Sequence, residues 1–100
     1  SDTPVWSADG KLIYYTARVG DGIELFQVDL AGESKRLTHS PAATSHYHPK
    51  PTRDGKWLIY GSKRKGARNV FARELKSGTE RQLTHLKPGH AAMWAQVSNR

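Results

Sequence analysis

Short apolar runs separated by turn residues follow one another along the whole chain. The residues from Leu12 to Tyr15 are apolar or aromatic at consecutive positions, which favours a strand covered on both faces. Asp9-Gly10 and Gly20-Asp21-Gly22 are turn signals at the two ends of that run. No segment shows helical periodicity over a useful length, so the sequence predicts an all-β chain. The predicted strands span 4–7, 12–16, 23–30, 34–38, 56–61, 69–75, 80–84 and 91–97.

The second half of the chain repeats the first. Residues 9–15 return as residues 54–60, and Phe26 returns at Phe71 with the same offset (71 − 26 = 45). After a slip of one residue, Leu-Thr-His at 37–39 returns at 83–85. A period of about 45 residues is typical of one four-stranded β-propeller blade. The predicted units are a first blade at 1–45, a second at 46–88, and a strand at 89–100 that completes a blade, in this subunit or in another.

The matched positions of the two copies also predict the core. Tyr15 with Phe26, and Tyr60 with Phe71, occupy equivalent apolar positions and are expected between the sheets. The same expectation holds for the three tryptophans, Trp6, Trp57 and Trp94. A structural role in each blade is expected for His39 and His85, which follow Leu-Thr in the two copies.

Two blades are too few to cover their own faces, because stacked repeats bury those faces only against neighbours. The sequence therefore predicts that the chain assembles with itself into a closed ring, which leaves no open edge. Three chains would supply six blades, and four chains, which would supply eight, are the next choice. Ser1 is compatible with a mature form, a tag remnant or an excised fragment.

Composition adds a positive charge and removes some function classes. The hydrophobic share is 36%, no apolar run reaches the length of a membrane span, and cysteine is absent, which excludes disulfides and thiolate metal sites.

The formal net charge is +7, with Lys63, Arg64, Lys65 and Arg68 clustered between two predicted strands. Either this loop binds an acidic polymer or it simply faces water; nucleic acid is not favoured, because no aromatic residues are interleaved with the cations.

A histidine pair is the most suggestive chemical feature. His46 and His48 stand at i and i+2, so on a strand both imidazoles would lie on one face and could meet one ion. His90 and Gln96, beside the last predicted strand, are further candidate ligands. Two interpretations stay open. Either several subunits contribute these residues to one divalent metal site at a ring axis, or the histidines belong to a linker over 39–49 and bind no cofactor.

The repeat resembles that of TolB-type β-propellers. The residues that carry the resemblance are Pro4 to Lys11, the strand from Leu25 to Leu30, and Arg81-Gln82-Leu83-Thr84; the second copy departs where Pro51-Thr52 replaces the Trp-Ser pair. The resemblance implies a propeller, commonly of six blades, that acts as a non-enzymatic, extracytoplasmic or periplasmic scaffold for protein or other ligands. Such repeats also serve peptidases and carbohydrate-active enzymes.

A more distant similarity points to an alternative function. The His46–His48 pair is similar to the repeat of oligogalacturonate lyases, propeller enzymes that bind manganese through histidines and a glutamine. By that similarity His46 and His48 would be metal ligands, and acidic glycans would be partners. Ala42-Ala43-Thr44 occupies the stretch where the glutamine of that family would lie. The alternative is therefore a fragment of a metal-dependent polysaccharide lyase.

Overall fold

Eight β-strands and no helix make up residues 4–87, the part of the chain that the computed structural model describes. The first four strands come from the first copy of the repeat and the last four from the second. They are β1 (Val5–Trp6), β2 (Leu12–Val19), β3 (Gly22–Asp29), β4 (Ser34–Arg36), β5 (Ser45–Pro51), β6 (Trp57–Arg64), β7 (Ala67–Glu74) and β8 (Glu80–Gln82). The predicted all-β class is confirmed, while the predicted strand at 91–97 lies outside the described residues.

Each group of four strands is an antiparallel meander. Strands β1 to β4 pair in chain order, and so do β5 to β8. A parallel pairing of Ile23 with Ser45 links the two meanders, supported by Ile23 N donating to Thr44 O at 3.1 Å. The backbones approach so closely there that a Cβ on Gly22 would overlap the Thr44 carbonyl oxygen. Glycine is therefore required where the two meanders join.

The Asp-Gly turn that opens each blade has the same hydrogen bonds in both copies. Asp9 Oδ1 accepts from Ser7 Oγ (2.7 Å) and Lys11 N (3.0 Å). In the second copy Asp54 Oδ1 accepts from the Thr52 hydroxyl (2.6 Å) and from a backbone N–H (2.9 Å). The departure from the Trp-Ser pattern at Pro51-Thr52 thus keeps the hydroxyl that organises the turn.

The linker predicted over 39–49 is partly wrong, because β5 begins at Ser45. This segment contains Pro49 and Pro51, and proline weakens strand pairing because it lacks a backbone N–H donor. The strand accommodates them with a register shift: Tyr47 pairs with Gly61, but the next pair is Lys50 with Ile59, so the β5 side carries one extra residue. The remaining predicted strands exist, with ends that move by up to three residues.

The core lies between the two blades. Tyr14 and Leu25 of the first blade form one buried cluster with Leu58, Tyr60 and Phe71 of the second. Cross-strand partners share a face, so the pairing of Thr16 with Leu25 places Leu25 on the face of Tyr14, and the pairing of Tyr15 with Phe26 places those two on the opposite face. The prediction that Tyr15 and Phe26 are buried is wrong: both are only partly buried, because this face has no second sheet against it within residues 4–87.

Candidate functional site

His46 and His48 do not share a face. His46 is buried, with 1% of its surface exposed, whereas His48 is exposed. The cause is the extra residue in β5: His48 takes a left-handed backbone conformation with φ 53°, which ends the alternation of side chains along the strand. The expectation that regular alternation along a strand places both imidazoles on one face is therefore wrong, while their binding of a metal ion stays a prediction.

His46 is held by the first blade although it belongs to the second. Its Nε2 lies 2.8 Å from Ser40 Oγ, and its ring meets Tyr60 edge-on at 5.2 Å between centroids. The Ser40 hydroxyl donates to Glu24 Oε1 at 2.9 Å, so its oxygen is left to accept from an Nε2–H. The hydrogen-bond network thus assigns the Nε2–H tautomer. His46 Nδ1 is then a buried acceptor that has no hydrogen-bond partner among residues 4–87.

This environment keeps His46 neutral at pH 7. Burial is the main cause that lowers the pKa of His46 to about 4, and the nearby Arg64 cation acts in the same direction, while the carboxylates of Glu24 and Glu80 oppose the shift but do not compensate. A neutral, buried imidazole that bridges two blades serves packing and hydrogen bonding. The structure therefore gives His46 a role at the blade interface.

Two of the four candidate metal ligands are not among the residues that the structure describes. His90 and Gln96 lie outside residues 4–87. Within that range, no group of three His, Cys, Asp or Glu side chains is arranged to hold a metal ion. Metal binding by the four predicted ligands consequently stays a prediction.

The basic cluster divides into two parts with different surroundings. Arg64 lies over the Phe71 ring, with its guanidinium carbon 3.8 Å from the ring centroid, and binds both oxygens of Glu80 at 2.9 and 2.8 Å. Tyr60 also donates its hydroxyl hydrogen to Glu80. Burial raises the pKa of Glu80, but the hydrogen bonds from Arg64 and Tyr60 outweigh it and hold that pKa below its ordinary value. Arg64 therefore lies at the edge of the core and not in a solvated loop.

The other three cations lie at the hairpin between β6 and β7. Lys65 and Gly66 form its two-residue turn, both with positive φ (51° and 79°), as a type I′ turn requires. Lys63 and Arg68 face each other across the two strands and line the same cleft as Tyr47 and His48. The predicted loop is therefore a tight turn, and two of its cations belong to a concave surface.

One repeated polar contact escaped the sequence analysis. Glu24 accepts hydrogen bonds from Thr38 Oγ1 at 2.7 Å and Ser40 N at 2.8 Å, and at the equivalent place Asn69 Oδ1 accepts from Thr84 Oγ1 at 2.7 Å and Leu86 N at 2.6 Å. Glu24 and Asn69 are both buried and 45 positions apart (69 − 24 = 45). The sequence signal for this contact was the repeated Leu-Thr-His triplet, in which the threonine, and not the histidine, makes the hydrogen bond.

This contact corrects the role expected for the histidines of that triplet. His39 and His85 are both exposed. Arg36 adds a further hydrogen bond to Glu24 at 3.1 Å. Burial raises the pKa of Glu24, but the hydrogen bonds from Thr38, Ser40 and Arg36 together hold it below its ordinary value, so the carboxylate stays charged at neutral pH.

The two aromatic pairs are equivalent in geometry and opposite in exposure. The rings of Tyr60 and Phe71 stack at 6.3 Å between centroids and are buried against the first blade. The rings of Tyr15 and Phe26 stack at 5.4 Å but stay partly exposed.

Trp6, whose partner Ile13 shares the face of Tyr15, is 57% exposed, so its predicted burial is wrong within residues 4–87. Trp57 is partly buried, and Trp94 lies outside the described residues.

We call this apolar surface of the first blade the open face. Its members are Trp6, Ile13, Tyr15, Phe26 and Val28, all partly or fully exposed. The same positions of the second blade include Leu58, Tyr60 and Phe71, all buried. The fold thus contains one covered and one uncovered copy of the same packing surface. Separately, no helix long and apolar enough to cross a membrane occurs among the described residues.

Solved structures with this architecture are similar to the chain over most of its length. The crystal structure of TolB from Acinetobacter baumannii is 30% identical with a TM-score of 0.71, over 85% of this chain and 21% of that chain. The structure of a putative TolB from Agrobacterium tumefaciens is 24% identical with a TM-score of 0.71, over 81% of this chain and 29% of that chain. A puromycin hydrolase mutant complexed with PGG is 22% identical with a TM-score of 0.67, over 83% of this chain and 14% of that chain.

These matches define the fold and its extent. The chain spans between about a fifth and three tenths of the two TolB structures, which fits a partial propeller. No protein-family model matches the sequence, and no curated protein matches it significantly. The identity to the hydrolase is low enough that it shows the fold alone. The resemblance seen in the sequence is confirmed, and the chain consists of β-propeller repeats of the TolB type.

Proposed function

We propose that this chain is a non-enzymatic scaffold module that joins further blades through its open face and presents the completed ring for binding. The observation that carries the proposal is the contrast between the two aromatic pairs. Tyr60 and Phe71 are buried against the neighbouring blade, while Tyr15 and Phe26, at the equivalent positions, are uncovered. The neighbour that covers the second blade therefore indicates what covers the first.

The chemistry of that neighbour can be read from the covered copy. The surface packed against Tyr60 and Phe71 is the Tyr14 and Leu25 face of a propeller blade. In the second blade the equivalent positions are 59 (14 + 45) and 70 (25 + 45), occupied by Ile59 and Val70, so the second blade of another copy is the proposed neighbour. A contact between unlike faces of two copies is head-to-tail, which closes into a ring when the rotation permits. Three copies giving six blades are favoured, and four copies giving eight come next. An obligate interface of this kind buries on the order of 2,000 Å² or more.

The oligomeric state in solution tests the proposal. Light scattering at micromolar concentration should give a mass close to three chains of 11.2 kDa each. Phe26→Asp places a charge in the open face and should shift the mass to that of one chain. Leu30→Asp is the matched control, because Leu30 is apolar but 70% exposed in a turn, and it should leave the mass unchanged. A folded parent protein that stays a monomer would overturn the self-assembly.

The binding partners and the location are parts of the same proposal. By similarity to TolB-type propellers, we place the assembled ring in an extracytoplasmic or periplasmic compartment, where it holds proteins or acidic glycans. Fractionation of cells that express the chain from its own gene tests the location. The alternative lyase-like enzyme would need bound metal, and elemental analysis of the purified protein for manganese and zinc decides between the two functions.

A further inference from the structure

A cleft of about 430 Å³ lies where the two meanders join. Ile23 and Ser45, the residues of the parallel pairing, form one wall, and Tyr47, Lys63 and Arg68 of the second blade are also part of its lining. Among the residues that the structure describes, none of those that line the cleft is acidic. The cleft therefore carries a positive charge close to the place where the two meanders join.

The two cations are placed in a way that costs stability. Lys63 on β6 is directly opposite Arg68 on β7, and cross-strand partners project from the same face. Like charges in this arrangement repel each other. Neither residue forms an ion pair with a described carboxylate, whereas Arg36 and Arg64 both do. The pair is thus a concentration of positive charge that no carboxylate within residues 4–87 neutralises by an ion pair.

The repeat shows that this charge pair is not required by the fold. The equivalent positions of the first blade are 18 (63 − 45) and 23 (68 − 45), occupied by Arg18 and Ile23. The first blade forms the same β-ladder between these positions with a single charge. The β-ladder of a blade therefore forms without a second cation at the position of Arg68.

The aromatic side of the cleft is fixed in place. The Tyr47 ring lies against Gly61, so closely that a Cβ on Gly61 would overlap ring atoms. The guanidinium carbon of Arg68 is 6.0 Å from the centroid of the same ring. The neighbouring His48 has a positive φ of 53°, a conformation that non-glycine residues adopt at a cost. A glycine and a costly bulge thus shape a concave surface beside the two cations.

We propose that this cleft binds a small, multiply charged oxyanion, a carboxylate or phosphate compound, between the Lys63 ammonium group and the Arg68 guanidinium group. Arg68 presents the planar fork that matches two oxygens of one carboxylate or phosphate, and Lys63 supplies a compact charge. A bound anion removes the repulsion between the two cations. The site lies within one chain and does not depend on assembly of a ring.

Isothermal titration calorimetry at fixed ionic strength tests the proposal, with citrate and inorganic phosphate as probes and sodium chloride as the reference. The parent protein should bind at least one probe with saturation. Lys63→Gln and Arg68→Gln should each weaken that binding by about tenfold or more, since hydrogen bonds to charged groups contribute that much. Preference for citrate or for phosphate then identifies the chemical source of the natural ligand.

Two matched controls separate the cleft from general positive charge. Arg18→Gln removes the equivalent cation of the first blade, and Lys65→Gln removes the exposed cation of the adjacent turn; both should leave binding within about twofold of the parent. Lys63→Gln should fold at least as stably as the parent in low salt, because it removes a repulsion. Absence of saturable binding, or equal weakening by the cleft and the control variants, would overturn the proposal.

Discussion

Replacement of Phe71 by alanine is the perturbation whose outcome the structure determines most sharply. Phe71 is 4% exposed, stacks on Tyr60, and has the Arg64 guanidinium carbon 3.8 Å from its ring centroid. Removal of a buried phenylalanine side chain costs about 3–5 kcal/mol, because transfer free energy is lost and a cavity remains. The same change also exposes the Arg64–Glu80 pair to water, which weakens it.

The expected loss is a large fraction of the total. Domains of this size are stable by about 5–15 kcal/mol, and 1 kcal/mol corresponds to about 4–8 °C of melting temperature. Phe71→Ala should therefore lower the melting temperature by more than about 10 °C, followed by circular dichroism or calorimetry. A melting temperature within a degree or two of the parent would show that the assigned register of β6 and β7 is wrong.

Phe26→Ala is the matched variant, since it removes the same side chain at the equivalent, partly exposed position. In dilute, separated chains it should cost clearly less than Phe71→Ala. If copies assemble through the open face, the cost of Phe26→Ala should rise with protein concentration towards that of Phe71→Ala. Equal costs at every concentration would contradict the difference in burial between the two faces.

Three further predictions concern single side chains. Between pH 7 and pH 5 the parent should lose about 2 kcal/mol of stability, because His46 has a pKa of about 4 in the folded protein and of 6.5 in the unfolded chain. Protons therefore favour the unfolded chain as the pH falls below 6.5. Urea unfolding at both pH values measures this loss, and His46→Gln should not show it. Gly61→Ala should cost about 1–3 kcal/mol by displacing the Tyr47 ring, and the added change Tyr47→Ala should recover part of it. Lys65→Asn should raise the melting temperature by a few degrees, because asparagine adopts the positive φ of 51° at lower cost; an unchanged or lower value would count against the assigned turn.

The sequence by itself determined the repeat unit and its turns, because these depend on neighbouring residues. Asp-Gly at 9–10 and 54–55 predicts turns through local hydrogen bonds and positive φ at glycine, and both turns form as expected. Apolar runs then predict strands whose ends the structure moves by a few residues. Tyr15 and Tyr60 also occupy equivalent register positions, as the repeat predicts, because each is the cross-strand partner of the phenylalanine of its own blade.

Only the tertiary structure decided which equivalent residues are buried and which charges are paired. Tyr15 and Tyr60 have the same local pattern, but burial depends on the presence of a neighbouring blade, which the first blade lacks on that side within residues 4–87. A one-residue bulge separated His46 from His48, because side-chain alternation along a strand fails where an extra residue enters. The register of the hairpin formed by β6 and β7 likewise places Lys63 opposite Arg68 and Arg64 near Phe71, because register decides which residues of two strands share a face.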